Sequence, residues 1–235
     1  MKKWFLLFYT LPFICAGSLF AEELGEGFLA VNVSLDWQRY DSEGKTHDFF
    51  KLPVSFSAAS ANYEIITNIS IFPELLHIDQ YYTGKSRLQP GALEPFSFAN
   101  FEVQYLWFDW GIVHLNGGFK IGHYGYLTGD WVSPVFTVFL AFKGSLYAFI
   151  GDHFMIQIPL EIPLGIINNN IAEYFTFFTG MELTFDPIGP IHNPVGTTVL
   201  YSLGLEYNYL HLLTQDNILR NMDYYNTYFK VSVLY

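Results

Sequence analysis

From Leu29 to the last residue, the chain keeps returning to one pattern, apolar and polar residues at alternate positions, in runs long enough to fix the secondary structure. A period of two gives each face of a β-strand one parity. "LAVNVSLDWQ" sets Leu29, Val31, Val33, Leu35 and Trp37 against Ala30, Asn32, Ser34, Asp36 and Gln38. A second run sets Phe50, Leu52, Val54 and Phe56 against Lys51, Pro53, Ser55 and Ser57. In a third, Tyr63, Ile65, Thr67, Ile69 and Ile71 oppose Asn62, Glu64, Asn68 and Ser70. The fourth opposes Phe101, Val103, Tyr105 and Trp107 to Glu102 and Gln104, and the fifth Val113, Leu115, Phe119 and Ile121 to His114, Asn116 and Lys120.

The sixth run, from Pro134 to Phe149, is almost continuously apolar until Lys143, Ser145 and Tyr147 restore a polar parity. Two strands made from it would each be shorter than the roughly 9–11 residues that cross a bilayer, so it reads as one. The seventh has Glu161 on its polar parity beside Pro159 and Pro163, each of which removes a ladder donor. The eighth carries Glu182 and the ninth Glu206 on their polar parities. The tenth, "YFKVSVLY", carries Tyr228, Lys230, Ser232 and Leu234 opposite Phe229, Val231, Val233 and Tyr235. Ten strands account for nearly all of residues 22–235; misreading the sixth and seventh runs would leave eight.

Hydrophobic residues make up 51% of the chain, yet no stretch after residue 21 approaches the ~20 apolar residues of a helical span. A chain this apolar without helical spans points to strands that face lipid. The connectors support it by alternating in length. "SAAS", "FDWG", "IGDH" and the Pro-rich "DPIGPIHNPVG" lie at one rim, three of the four being short; longer loops, including Pro73 to Pro95, lie at the other. Short turns at one rim and long loops at the other are expected of a bacterial outer-membrane barrel. Aromatics also gather at strand ends: Trp37, Tyr40, Tyr126, Trp131 and Tyr207 toward the long-loop rim, and Trp107, Trp110, Phe149, Phe154, Phe185 and Tyr235 toward the other.

Residues 1–21 have the order of a cleaved secretory signal peptide, with Lys2 and Lys3, an apolar run from Trp4 to Ala16, and then small residues before two acids. The single cysteine, Cys15, falls inside this segment, so residues 22–235 would fold without disulfides or a cysteine metal site. A net charge of −11 repels phosphate backbones, which argues against a nucleic-acid partner.

With these features assembled, the chain resembles the bacterial outer-membrane β-barrel superfamily. The resemblance implies a single all-β domain over residues 22–235, a transmembrane antiparallel up-and-down β-barrel of ten strands. It implies outer-membrane lipid and the barrel assembly machinery as partners. In that superfamily the last strand commonly ends on an aromatic preceded by hydrophobic residues at alternate positions, an assembly signal that Phe229, Val231, Val233 and Tyr235 match. Phenylalanine is the commoner last residue, so Tyr235 is a mild departure.

With apolar parities on lipid, the opposite parities would place Asp36, Lys51, Glu64, Glu102, Lys120, Lys143, Glu161, Glu182, Glu206 and Lys230 in the lumen. Opposite charges there can pair and stay partly hydrated. The excess of acids would make any open path prefer small cations. Ten strands leave little room beyond what side chains fill, and inward Phe108, Tyr124, Phe178 and Tyr228 would narrow it further.

No catalytic constellation is readable. Asp152 and His153 fall at the short-turn rim; His47 with Asp48, and His123 with Asp130, lack a nucleophile, and the histidines show no metal-ligand spacing, so no cofactor or metal is expected. The sequence therefore points to a narrow, cation-preferring pore or a structural surface protein. The alternative is a surface protein binding an external ligand through its long loops, such as "HIDQYYTGKSRLQPG". A soluble lipocalin-like barrel is the rival fold, in which the apolar parity would line the interior instead.

Overall fold

The computed structural model describes residues 27–42, 45–60, 63–71, 93–128, 135–167, 171–194, 196–214 and 219–235. The expected signal peptide and most of the expected loop between Pro73 and Pro95 lie outside them. The elements in order are β1 (Gly27–Ser42), β2 (Lys45–Lys51), β3 (Val54–Ser60), β4 (Ile65–Ile71), β5 (Leu93–Asp109) and β6 (Val113–Thr128), followed by β7 (Val135–Ile150), β8 (Phe154–Ile167), β9 (Ile171–Phe185), β10 (Thr198–Thr214) and β11 (Leu219–Leu234).

β2 and β3 are two halves of one stave. The upper half of β1 pairs with β2 from Asp36↔Lys51 to Ser42↔Lys45, and the lower half pairs with β3 from Gly27↔Ser60 to Val33↔Val54. The break falls at Leu52 and Pro53, where proline has no N–H to give the ladder. Its carbonyl still accepts from Ser34 N at 3.1 Å. Every neighbouring pair is antiparallel, and β11 pairs back onto β1 from Ala30↔Leu234 to Ser42↔Met222. Tyr235 and Leu29 exchange two further backbone bonds at this seam, 2.8 and 3.1 Å long. The result is a closed ten-strand barrel with no free sheet edge.

Parity decides which way each side chain faces. Leu29, Leu35, Phe101, Phe119, Leu140, Ile158, Leu164, Met181, Leu203 and Phe229 are exposed on the outside. Their strand neighbours Asp36, Glu102, Lys143, Glu161, Glu182 and Ser232 are buried inside. Polar residues inside and apolar residues outside are the reverse of a lipocalin-like barrel, and rule that rival out.

Two local departures from strict alternation redirect residues. The β5–β6 register slips at Trp107, where Leu106 faces Asn116 and Phe108 faces Leu115, so one residue bulges. That bulge flips Phe108 out of the lumen, where alternation had put it, and the ring stacks on Trp110 at 5.6 Å with an interplanar angle of 6°. Phe149 stands at the rim expected of it but faces inward, because it continues the parity of Lys143 and Tyr147, and is buried. The prolines of β8 leave a smaller mark. Its ladder with β9 skips from Gln157↔Glu182 to Leu160↔Thr179, with Thr179 Oγ1 donating to the Pro159 carbonyl instead.

Candidate functional site

The lumen is layered. At the short-turn rim the inward side chains are apolar, and Phe28, Ala30, Ala59, Ile66, Phe149, Met155, Leu200 and Leu234 form one buried cluster. Two residues that belong to no strand complete it. Tyr63, in the turn between β3 and β4, has φ 57°. This left-handed backbone is a rare state for an aromatic residue, and it swings the ring inward, stacked on Tyr147 at 5.7 Å and edge-on to Phe28 at 5.5 Å. Ile191, from the long β9–β10 turn, is fully buried.

Hydrogen bonds hold that turn across the rim. Tyr63 Oη donates to the Ile191 carbonyl at 3.2 Å, and Ile191 N donates to the Asp152 carbonyl at 2.8 Å. Asp186 N donates to the His153 carbonyl at 2.8 Å, and His153 Nδ1 lies 2.8 Å from the Asp186 carbonyl oxygen. The buried Asp186 carboxylate accepts from Ile188 N at 2.8 Å and Thr198 Oγ1 at 3.4 Å. Asp152 and His153 thus anchor a turn. Burial, followed by the nearby charges of Asp186 and Glu182, pushes the Tyr63 phenol well up, so it stays protonated as a donor.

Turn geometry also reassigns Glu64. Alternation put Tyr63 outside and Glu64 in the lumen, but β4 begins only at Ile65, and the positive φ at residue 63 reverses the pair. Glu64 is exposed.

Above the apolar floor sit the charges. Lys120 Nζ reaches Glu161 Oε2 at 2.8 Å by passing over Ala141, its cross-strand partner on β7 and a fully buried small side chain. Lys143 stands between Glu102 at 3.8 Å and Glu161 at 3.7 Å, with Nζ 4.4 Å from the centre of the Phe178 ring. Glu102 also accepts from Asn68 at 3.1 Å and Gln104 at 2.5 Å. Glu182 gathers Lys230 at 2.6 Å on both oxygens, Tyr228 Oη at 2.6 Å and Thr184 Oγ1 at 3.1 Å. Asn226 Nδ2 donates to Asp36 Oδ2 and Glu206 Oε2, both at 3.1 Å. Of the lumen charges expected from sequence, these eight line or surround one interior; Glu64 does not, and the Lys51 side chain lies outside the described residues. Phe178 and Tyr228 do face the cavity, and the Tyr124 side chain is likewise undescribed.

A missing side chain makes one of these contacts possible. The Tyr228 ring lies across Gly204, where an added Cβ would stand 2.0 Å from Tyr228 Cζ. Gly204→Ala is therefore expected to displace the ring from Glu182 and to destabilise the barrel by about 1–3 kcal/mol. Urea unfolding from lipid vesicles would measure the loss, and an unchanged midpoint would show that the ring can move at no cost.

Phe229, Val231, Val233 and Tyr235 face outward, with Phe229 stacked on Tyr201 at 6.4 Å. Among the described residues no group of three or more His, Cys, Asp or Glu side chains could hold a metal ion.

No family model and no curated protein matches the chain. Among solved structures, similarity is found to the translocator domain of the autotransporter NalP from Neisseria meningitidis, at 10% identity, covering 93% of this chain and 92% of that one with a TM-score of 0.36. The toluene transporter TodX of P. putida is 8% identical, with 88% and 89% covered and a TM-score of 0.26. OccK11 of Pseudomonas aeruginosa is also 8% identical, with 89% and 96% covered and a TM-score of 0.20. Superpositions this loose carry no argument about this chain, whose architecture rests on its own pairing: it is a closed antiparallel barrel with a charged interior and an apolar exterior.

Proposed function

We propose that the protein is an integral β-barrel of the bacterial outer membrane, sealed at its short-turn end, which serves as a structural surface protein without catalysis. The observation that carries this reading is the inverted barrel wall, with apolar side chains exposed on the outside while charged ones are buried within. So large an exposed apolar surface needs lipid to cover it, and only a closed barrel can satisfy every strand's backbone there. The expected signal peptide and the alternation Phe229, Val231, Val233, Tyr235 support export and delivery by the barrel assembly machinery. The buried cluster around Tyr63 and Ile191 favours a sealed lumen over a standing pore.

A second reading, a cation-preferring pore, is favoured by one feature. Among the described lumen charges, Asp36, Glu102, Glu161, Glu182 and Glu206 outnumber Lys120, Lys143 and Lys230. In planar bilayers the refolded, heat-modifiable wild type is expected to be silent. Discrete cation-selective steps would replace the sealed reading with the pore. Ligand recognition by the long loops is a third possibility, tested by binding after deletion of residues 76–92.

A further inference from the structure

Between the apolar floor and the long-loop rim the lumen keeps a cavity of about 320 Å³, at the small end of the range for ligand pockets. Its charges are unevenly matched. Lys120, Lys143 and Lys230 each lie against a carboxylate. Glu206 does not share in this: it lines the cavity half-buried, and among the described residues its one hydrogen-bond partner is Asn226 and no cationic side chain comes within 4.0 Å.

Hydrogen bonding is unbalanced in the same sense. Oδ1 of Asn226 is buried without a donor, and so are Oε1 of Gln104 and Oδ1 of Asn116 on side chains that are fully buried. The amide nitrogens of all three are engaged, with Glu102, Tyr63 and the Asp36–Glu206 pair, so turning the amides would break existing bonds. Among the described residues the barrel interior thus has buried acceptors without donors, on amides set behind the cavity lining, and more carboxylates than lysines. Near Glu206 the wall is aromatic as well as acidic: Phe178 and Tyr228 line the cavity.

We infer that this cavity binds a small organic cation, a primary alkylammonium whose N–H groups reach Glu206 and whose short apolar body lies against Phe178 and Tyr228. An ammonium supplies both charge and donors. A carboxylate of the same size supplies neither and would meet Glu206 head on.

The test is calorimetric titration of the refolded barrel with n-butylammonium, and with butyrate as its opposite-charge match. Saturable binding of the amine alone is expected, weakened about tenfold or more in Glu206→Gln and retained in Glu206→Asp. Glu206→Gln keeps an acceptor for Asn226, and a heat-modifiability check confirms its fold. Absence of saturation in the wild type, equal binding of butyrate, or indifference to Glu206→Gln would overturn the site. The inference rests on the sealed-barrel reading, and conductance on the same preparation separates the two. A conducting wild type that still binds the amine through Glu206 overturns the seal and keeps the site; a silent barrel that does not bind loses only the site.

Discussion

Replacing Tyr63 and Ile191 together by glycine is expected to turn a silent barrel into a conducting one, with small discrete steps that favour potassium over chloride. Both residues reach the lumen from turns, so the strands need not rearrange to lose them. Glycine also suits residue 63, whose φ of 57° costs it nothing. Loss of the buried Ile191 side chain should cost about 2–5 kcal/mol and loss of the buried Tyr63 ring about 3–5 kcal/mol, offset only in small part by the backbone relief at residue 63. Cation preference would follow from the excess of lumen carboxylates. A variant that refolds and stays heat-modifiable, yet remains silent, would place the seal in the strand side chains Phe28, Met155 and Leu200, and the two turns would be only lining.

The second large effect is expected at Lys230. Its ammonium contacts both oxygens of Glu182 at 2.6 Å, and the Glu182 side chain is 7% exposed. Lys230→Met leaves a buried carboxylate with only Tyr228 and Thr184 as donors, which should cost about 3–5 kcal/mol. Adding Glu182→Gln should recover most of that loss, since the double change removes both charges. Urea unfolding of the two single variants and the double, compared as a cycle, measures the coupling. A loss below about 1 kcal/mol in Lys230→Met would mean that the pair is as hydrated as a surface salt bridge.

The wall of the barrel was legible because lipid and lumen impose opposite demands on adjacent residues. Wherever a strand is regular, as from Val199 to Glu206 or from Tyr225 to Ser232, parity alone assigns each side chain to its face. What alternation could not give was anything that breaks it. The bulge at Trp107 leaves no composition signal that would turn Phe108 around. Tyr63 fits the apolar parity of the following strand, so nothing in its neighbours announces a left-handed turn. Ile191 sits in a connector where no period operates. One signal was available there: "DPIGPIHNPVG" is long for the rim on which it falls, and a long, proline-rich connector among short ones has to go somewhere. The charge pairing was legible as a set but not as partners. Lys120 faces Glu102 in register, yet its 2.8 Å contact is with Glu161, two strands away on the other side, because Ala141 on the strand between is small enough to pass over.

The seam between β1 and β11 has a kinetic meaning. All the other ladders join staves that follow one another along the chain, so each closes a loop far shorter than the seam does. The seam joins residues such as Asp36 and Asn226, 190 positions apart, and closes a far longer loop than the other ladders do. Until that step the growing sheet has two open edges and no inside. The lumen, and with it the bridge from Asn226 to Asp36 and Glu206, comes into existence only when the circle shuts.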